Sequence, residues 1–195
     1  MNTPRVVLAS TSRYRAELLH RLLADFEQVA PGVEEGALPG ETPAQCATRL
    51  AALKARAVAA HHDGAIVIGS DQVAELDGHV LGKPGNAARA RAQLQACGGR
   101  EARFHTAVCV IDTHTGHRCL QATDLTRALF RTLSPDEIAR YVEREQPLDC
   151  AGGFKAEALG ISLFERIESD DPTALIGLPL IALARLLREC GLSLP

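Results

Sequence analysis

Ile66–Pro84 reads IVIGSDQVAELDGHVLGKP, and the fold turns on how this stretch is divided. Ala65-Ile66-Val67-Ile68 is a short run rich in β-branched residues, the pattern of a buried strand. The run is expected to end at Gly69-Ser70, which leaves Asp71 as a carboxylate just past the strand. Asp77-Gly78 separates Val73–Leu76 from Val80-Leu81, a strong short-range hairpin signal. The return arm ends in Gly82-Lys83-Pro84, so the hairpin would bring a lysine back towards the carboxylate. Enzymes of the α/β class present reactive groups at such strand ends. Taken alone, the stretch fits equally an exposed turn with one solvated salt bridge.

Working outward, Arg5–Ala9 reads as a first strand. Ser10-Thr11-Ser12 supplies N-cap residues for a helix in which Ala16, Leu18, Leu19, Leu22 and Leu23 recur at helical spacing. Arg13 and Arg15 sit in its first turn, where cations oppose the macrodipole by about 0.3–1 kcal/mol each. A bound anion would reverse that penalty; solvation of both arginines is the plain alternative. Phe26–Ala30 is expected to be a shorter strand, closed by Pro31-Gly32 and the acidic loop Val33–Gly36. A helix is expected over about 42–61, with Thr42-Pro43 as its start. Its apolar face would hold Cys46, Leu50, Leu53 and Ala57, flanked by Arg49 and Lys54.

Beyond the opening stretch, Asn86–Ala96 reads as a helix ended by Gly98-Gly99. Ala102–Asp112 and Arg118–Thr132 read as long strands joined by Thr113–Gly116. In the second, Leu125, Ala128 and Phe130 alternate against Thr126, Arg127 and Arg131, with one slip. Ser134-Pro135-Asp136-Glu137 is a capping box opening a helix to about Arg144. The Gly-rich stretch Cys150–Glu157 precedes a strand expected over Ile161–Ile167. Gly177-Leu178-Pro179 starts a last helix whose faces are almost all apolar, as in a core helix. The order of elements implies an α/β fold with a mixed twisted sheet. Residues 1–195 are expected to form one domain of two lobes, with a central cleft between them.

Composition removes several classes of function. A net charge of −3 provides no basic field for nucleic acid, and few aromatics (Phe 5, Tyr 2, Trp 0) provide no extended stacking face. The six cysteines form no CxxC pair. With no secretory signal, they read as reduced thiols in a cytoplasmic protein. No apolar run reaches the ~18 residues of a membrane span. The seven histidines form no HExxH, so zinc has little support.

Ser12, Arg15, Glu35, Lys54, Asp71 and Lys83 are polar groups that local structure does not require. Lys155 and Glu157, in the Gly-rich stretch, are further candidates. Cations suit a polyphosphate, and carboxylates suit Mg²⁺ or Mn²⁺. The chemistry that follows is metal-assisted attack of water on a phosphoanhydride. A P-loop is absent, as is any GxSxG nucleophile elbow.

Leu8–Leu19 (LASTSRYRAELL), Arg49-Leu50-Ala51 with Lys54-Ala55, Gly69–Val73, Leu81–Pro84 and Gly177–Leu180 together resemble the signatures of the Maf family of nucleotide pyrophosphatases. They stand in the family's order and span nearly the whole chain. The resemblance implies a two-lobed α/β fold akin to the inosine triphosphate pyrophosphatases. It also implies hydrolysis of a nucleoside triphosphate between the α and β phosphates, with a divalent metal. It makes Asp71 the general base, gives Ser12, Arg15, Lys54 and Lys83 phosphate-binding and catalytic positions, and makes Glu35 a metal-site glutamate beside Asp71. Arg13 departs from the family's usual proline. The expected partner is a nucleotide, with no nucleic acid or membrane; a homodimer is compatible.

Within the family, Tyr14, Gln72 and Glu157 resemble the 7-methyl-GTP branch. The dTTP/UTP branch typically has arginine, threonine and glutamine there. A 7-methylated guanine is cationic and stacks well on an electron-rich ring. A carboxylate accepts from the guanine N1–H and 2-amino group. The alternatives are a dTTP/UTP or broader pyrophosphatase, and a nucleotide-binding regulator of cell division and septation.

Overall fold

A computed structural model describes residues 4–114 and 116–194. Strand β1 is Arg5–Ala9, as expected, and helix α1 is Arg13–Leu19. The short β2, Glu27–Val29, pairs in parallel with β1. Helix α2, Pro43–Ala59, opens on a complete capping box in which Thr42 and Gln45 each satisfy the other's backbone N–H.

Strand β3 runs from Ala65 to Leu76, twelve residues, and corrects the reading of Gly69-Ser70 as its end. Asp71 therefore lies inside the strand. Gly69 is present for space rather than for a turn: a Cβ there would lie 2.3 Å from the Ala51 carbonyl oxygen and 2.6 Å from the Ala55 nitrogen. Helix α2 thus rests against β3 at backbone distance, through Ala51 and Ala55. This contact rotates the buried stripe of α2 away from Leu53 and Ala57, and Lys54 lies on the buried face.

The hairpin forms as expected. Leu76 pairs with His79, the first residue of β4 (His79–Leu81), across Asp77-Gly78. Both turn residues have positive φ (47° and 80°), the geometry of a type I′ turn. Pairing ends at Ala74 and Leu81, so Lys83 follows β4 rather than lying in it.

Helix α3 is Ala87–Cys97, capped by Asn86. Strands β5 (Glu101–Asp112) and β6 (Arg118–Phe130) follow. Thr115, within the loop expected to join them, lies outside the described residues. On β6 the buried face is Thr126, Ala128 and Phe130, whereas Leu125 is 40% exposed. Strict period two places Thr126 inward, where its hydroxyl bonds the Ser169 hydroxyl at 2.9 Å.

Helix α4 is Pro135–Glu145, again with a complete capping box. The strand expected over Ile161–Ile167 begins later. Leu159–Leu163 is a 3-10 turn, and β7 is Phe164–Glu168, antiparallel to β6. Helix α5, Leu180–Glu189, buries Leu180, Leu183, Leu186 and Leu187 but leaves Ile181 62% exposed. It is one-sided rather than apolar all round.

The sheet order is β2-β1-β3-β5-β6-β7, with β4 on β3. Parallel β1–β3 and antiparallel β3–β4 pairing make the sheet mixed, as expected. The chain divides into two compact units. The first comprises residues 1–72, 106–124 and 171–195. Its core packs β1, β3 and β5 against α1 and α5, through residues such as Leu8, Ile68, Val110 and Leu183. The second comprises 73–105 and 125–170. Phe104, Phe130, Phe154 and Phe164 cluster there, with ring centroids 4.6–5.6 Å apart. Among the described residues no helix is long and apolar enough to cross a membrane.

Candidate active site

The first unit gathers most of the candidate residues. Lys54 reaches from the buried face of α2 to the strand that α2 covers. Its Nζ lies 2.6 Å from Asp71 Oδ1 and 2.9 Å from Glu35 Oε1. Lys54 and Asp71 are both buried, whereas half of the Glu35 side chain is exposed. Asp71 Oδ1 is occupied by the ammonium, and Oδ2 makes no hydrogen bond among the described residues.

Glu35 lies on the loop between β2 and α2, and that loop is held at its base. Arg49 grips Glu41 through two bonds (2.6 and 2.8 Å) and donates to the Gly36 carbonyl at 2.9 Å. Glu41 also accepts from the Leu38 N–H at 3.1 Å. The Arg49 bonds hold the Glu41 carboxyl down at about 2. The sequence places Arg49 and Lys54 beside the same apolar stripe; in the structure Arg49 fixes the loop and Lys54 joins the carboxylates.

Arg15, in α1, turns back and donates from Nε to the Gly177 carbonyl at 2.9 Å. Ser70 Oγ lies 2.9 Å from the same carbonyl and 2.8 Å from that of Ala107. Gly177 has a φ of 120°, which L residues rarely adopt. Burial lowers the Arg15 pKa, and the charges of Asp71 and Glu35 oppose that shift. The terminal guanidinium nitrogens of Arg15 make no hydrogen bond among the described residues. Ser12 caps α1 by accepting from the Arg15 N–H, leaving its hydroxyl proton available to an acceptor. Gln28 of β2, a residue no motif pointed to, donates to the Ser10 and Ser12 carbonyls and pins this loop.

Arg13 has a place that its sequence did not disclose. Its guanidinium carbon lies 4.7 Å from the Tyr14 ring centroid, and Nη2 donates to the Tyr14 hydroxyl at 2.7 Å. One face of Tyr14 is therefore covered by a cation. Gln72 is held internally. Its Nε2 contacts Thr106 Oγ1 (3.0 Å) and the carbonyls of Ala174 (2.8 Å) and Leu175 (3.1 Å). Its Oε1 is then the atom left to accept.

Lys83, Lys155 and Glu157 belong to the second unit. Lys83 and Glu157 are exposed and make no hydrogen bond or ion pair among the described residues. Lys155 instead supports the fold, because its Nζ donates to the Glu145 carbonyl at the end of α4, at 2.6 Å. Among the described residues no group of three or more His, Cys, Asp or Glu is placed to hold a metal. Asp71 and Glu35 meet as a carboxylate pair on Lys54.

Comparisons with known proteins place the chain by family and fold. Residues 5–190 match the family described as Maf-like protein. The chain is 59% identical over 192 residues to a 7-methyl-GTP pyrophosphatase of Xanthomonas oryzae pv. oryzae (strain MAFF 311018), covering 98% of this chain and 100% of that one. It is 56% identical over 196 residues to the protein of that name from Aromatoleum aromaticum, covering the whole of both. A HAM1 protein from Coxiella burnetii shares the fold, with a TM-score of 0.51 at 18% identity over 95% of this chain and 99% of the other. The chain belongs to the Maf family.

Proposed function

We propose that the protein hydrolyses a nucleoside triphosphate, with 7-methyl-GTP as the preferred substrate, between the α and β phosphates to the monophosphate and pyrophosphate. The observation that carries this reading is Lys54 held between Asp71 and Glu35, with Arg15 in the field of both carboxylates. The relatives bearing that activity in their names support the choice of substrate. Removal of modified nucleotides before they enter nucleic acid is the corresponding role.

Asp71 is the general base. Lys54 holds one carboxylate oxygen, so that Oδ2 is left to accept the proton of the attacking water. Arg15 presents its terminal nitrogens to phosphate oxygens, and the Ser12 hydroxyl donates to another. The donor set fits a divalent cation, since Mg²⁺ is commonly held by one or two carboxylates with phosphates and waters completing its shell. Glu35 and Asp71 would hold it, and when bound it would neutralise charge on the phosphates. For Lys83 and Glu157 the family resemblance alone carries the proposed roles, transition-state stabilisation and base recognition.

Gln72 suits guanine, although the N3–H of thymine or uracil would meet the same acceptor. Its amide nitrogen is occupied, so it offers an acceptor, which suits the N1–H and 2-amino donors of guanine. The test is pyrophosphate release from a nucleotide panel with Mg²⁺ or Mn²⁺. Turnover of 7-methyl-GTP above dTTP and UTP is expected. Faster dTTP hydrolysis overturns the substrate, and no turnover of any nucleotide overturns the activity.

A further inference from the structure

Cys109 and Cys119 lie on neighbouring strands of the first unit, β5 and β6, and their sulfurs are 3.4 Å apart. The hydrolysis proposed above uses neither. Cys109 is buried and Cys119 exposed. A disulfide needs a sulfur separation of about 2.05 Å, so closure requires an approach of roughly 1.4 Å, within the reach of side-chain rotation. Of the other four cysteines, Cys46 and Cys97 are buried, and Cys150 and Cys190 are partly so.

We propose that Cys109 and Cys119 form a redox-active dithiol that a small-molecule disulfide converts to a cross-strand disulfide. The Cys119 thiolate, having released its proton to solvent, attacks one sulfur of the oxidant. A mixed disulfide forms at Cys119, and one small thiolate leaves and takes up a proton. Cys109 then attacks the Cys119 sulfur, and its proton passes to the small thiolate that leaves. The Cys109–Cys119 bond forms, the mixed disulfide breaks, and a second small thiol departs. The two cysteines lose two electrons and two protons, and the oxidant gains both as two thiols.

The order of attack follows from burial. Cys119 meets the reagent, and Cys109, enclosed beneath it, cannot. Burial, followed by the Cys119 contact, pushes the Cys109 thiol up to about 12, so it keeps its proton until the second step. That second step is intramolecular, between groups already in contact, which favours it over capture of another molecule.

The experiment treats the full chain with oxidised glutathione, alkylates remaining thiols and digests with trypsin. Cleavage after Arg103, Arg118 and Arg127 puts Cys109 in Phe104–Arg118 and Cys119 in Cys119–Arg127. The expected result is these two peptides joined, with two of the six thiols lost to alkylation. Cys109→Ser should stop at the mixed disulfide on Cys119, and Cys119→Ser should retain all its remaining thiols. Accumulation of the mixed disulfide in the unsubstituted chain without closure overturns the proposal. So does a comparable yield of any other cysteine pair, or a Cys119-linked dimer on a non-reducing gel.

Discussion

Lys54 Nζ sits 2.6 Å from Asp71 Oδ1, with both side chains withdrawn from solvent. Removing the Lys54 charge leaves the Asp71 carboxylate buried without the ammonium it faces, whereas Lys54 keeps Glu35 when Asp71 is neutralised. Lys54→Met should therefore lower stability by about 3–5 kcal/mol and abolish hydrolysis. Lys54→Met with Asp71→Leu should recover much of the stability and none of the activity. Urea unfolding and pyrophosphate release measure the two effects separately. Recovery of turnover in the double variant would remove both residues from the mechanism.

Asp71→Asn keeps the shape of the side chain and deletes the base. Hydrolysis should fall roughly a hundred- to ten-thousand-fold with binding largely retained. Lys83→Ala should act through kcat, since its charge serves the transition state more than the ground state. A change confined to KM for Lys83→Ala would assign it to uniform substrate binding.

Tyr14→Arg should shift the ratio of 7-methyl-GTP to dTTP turnover towards dTTP. Arg13→Ala uncovers one face of the ring and removes the bond to its hydroxyl. If Tyr14 stacks on the base, Arg13→Ala should change KM for 7-methyl-GTP more than for dTTP. Equal effects on both nucleotides would count against stacking by Tyr14.

Acid should loosen the loop that carries Glu35. Arg49 holds Glu41 at about 2 in the folded chain, against an ordinary 4.5. A depressed carboxylate pKa contributes stability that is present above the unfolded value and is lost as pH falls from there through the folded value. Glu137, held at about 2 by the Ser134 N–H and hydroxyl and by Arg131, adds in the same direction. Unfolding midpoints should therefore fall between about pH 5 and about pH 2. Glu41→Gln should flatten that slope, and an unchanged slope would show that the pair contributes nothing.

Gly69→Ala drives a methyl group into the Ala51 carbonyl, which is backbone and cannot swing aside. It should cost about 3 kcal/mol or more and displace α2 from β3, taking Lys54 away from Asp71. Normal stability by thermal unfolding would contradict the packing described for Gly69.

The elements set by local chemistry are legible in the sequence. Ser134 and Thr42 announce their helices through capping, and Asp77-Gly78 announces its turn, because each depends on residues within four positions. What depends on distant neighbours is not legible. Gly69 reads as a strand end until the backbone of α2 is seen against it. Thr126 reads as an outward residue until Ser169 meets its hydroxyl. Ile161 reads as strand and lies in a 3-10 turn. At the candidate site, Lys54, Asp71 and Glu35 stand out as polar groups that their own segments do not need. Their meeting depends on segments 17 residues or more apart. The Arg49–Glu41 grip, eight residues apart, follows no helical spacing and gives no signal.

The Gly177 carbonyl, which receives Arg15 Nε and also faces Ser70 Oγ, has a consequence for speed as well as for shape. An arginine side chain carries about 2 kcal/mol of rotamer entropy when free. Here the guanidinium is fixed before any ligand arrives, so that ordering belongs to folding and not to the encounter. An incoming anion meets a rigid receptor, and its residence is governed by the bonds it makes rather than by a wait for the arginine to settle.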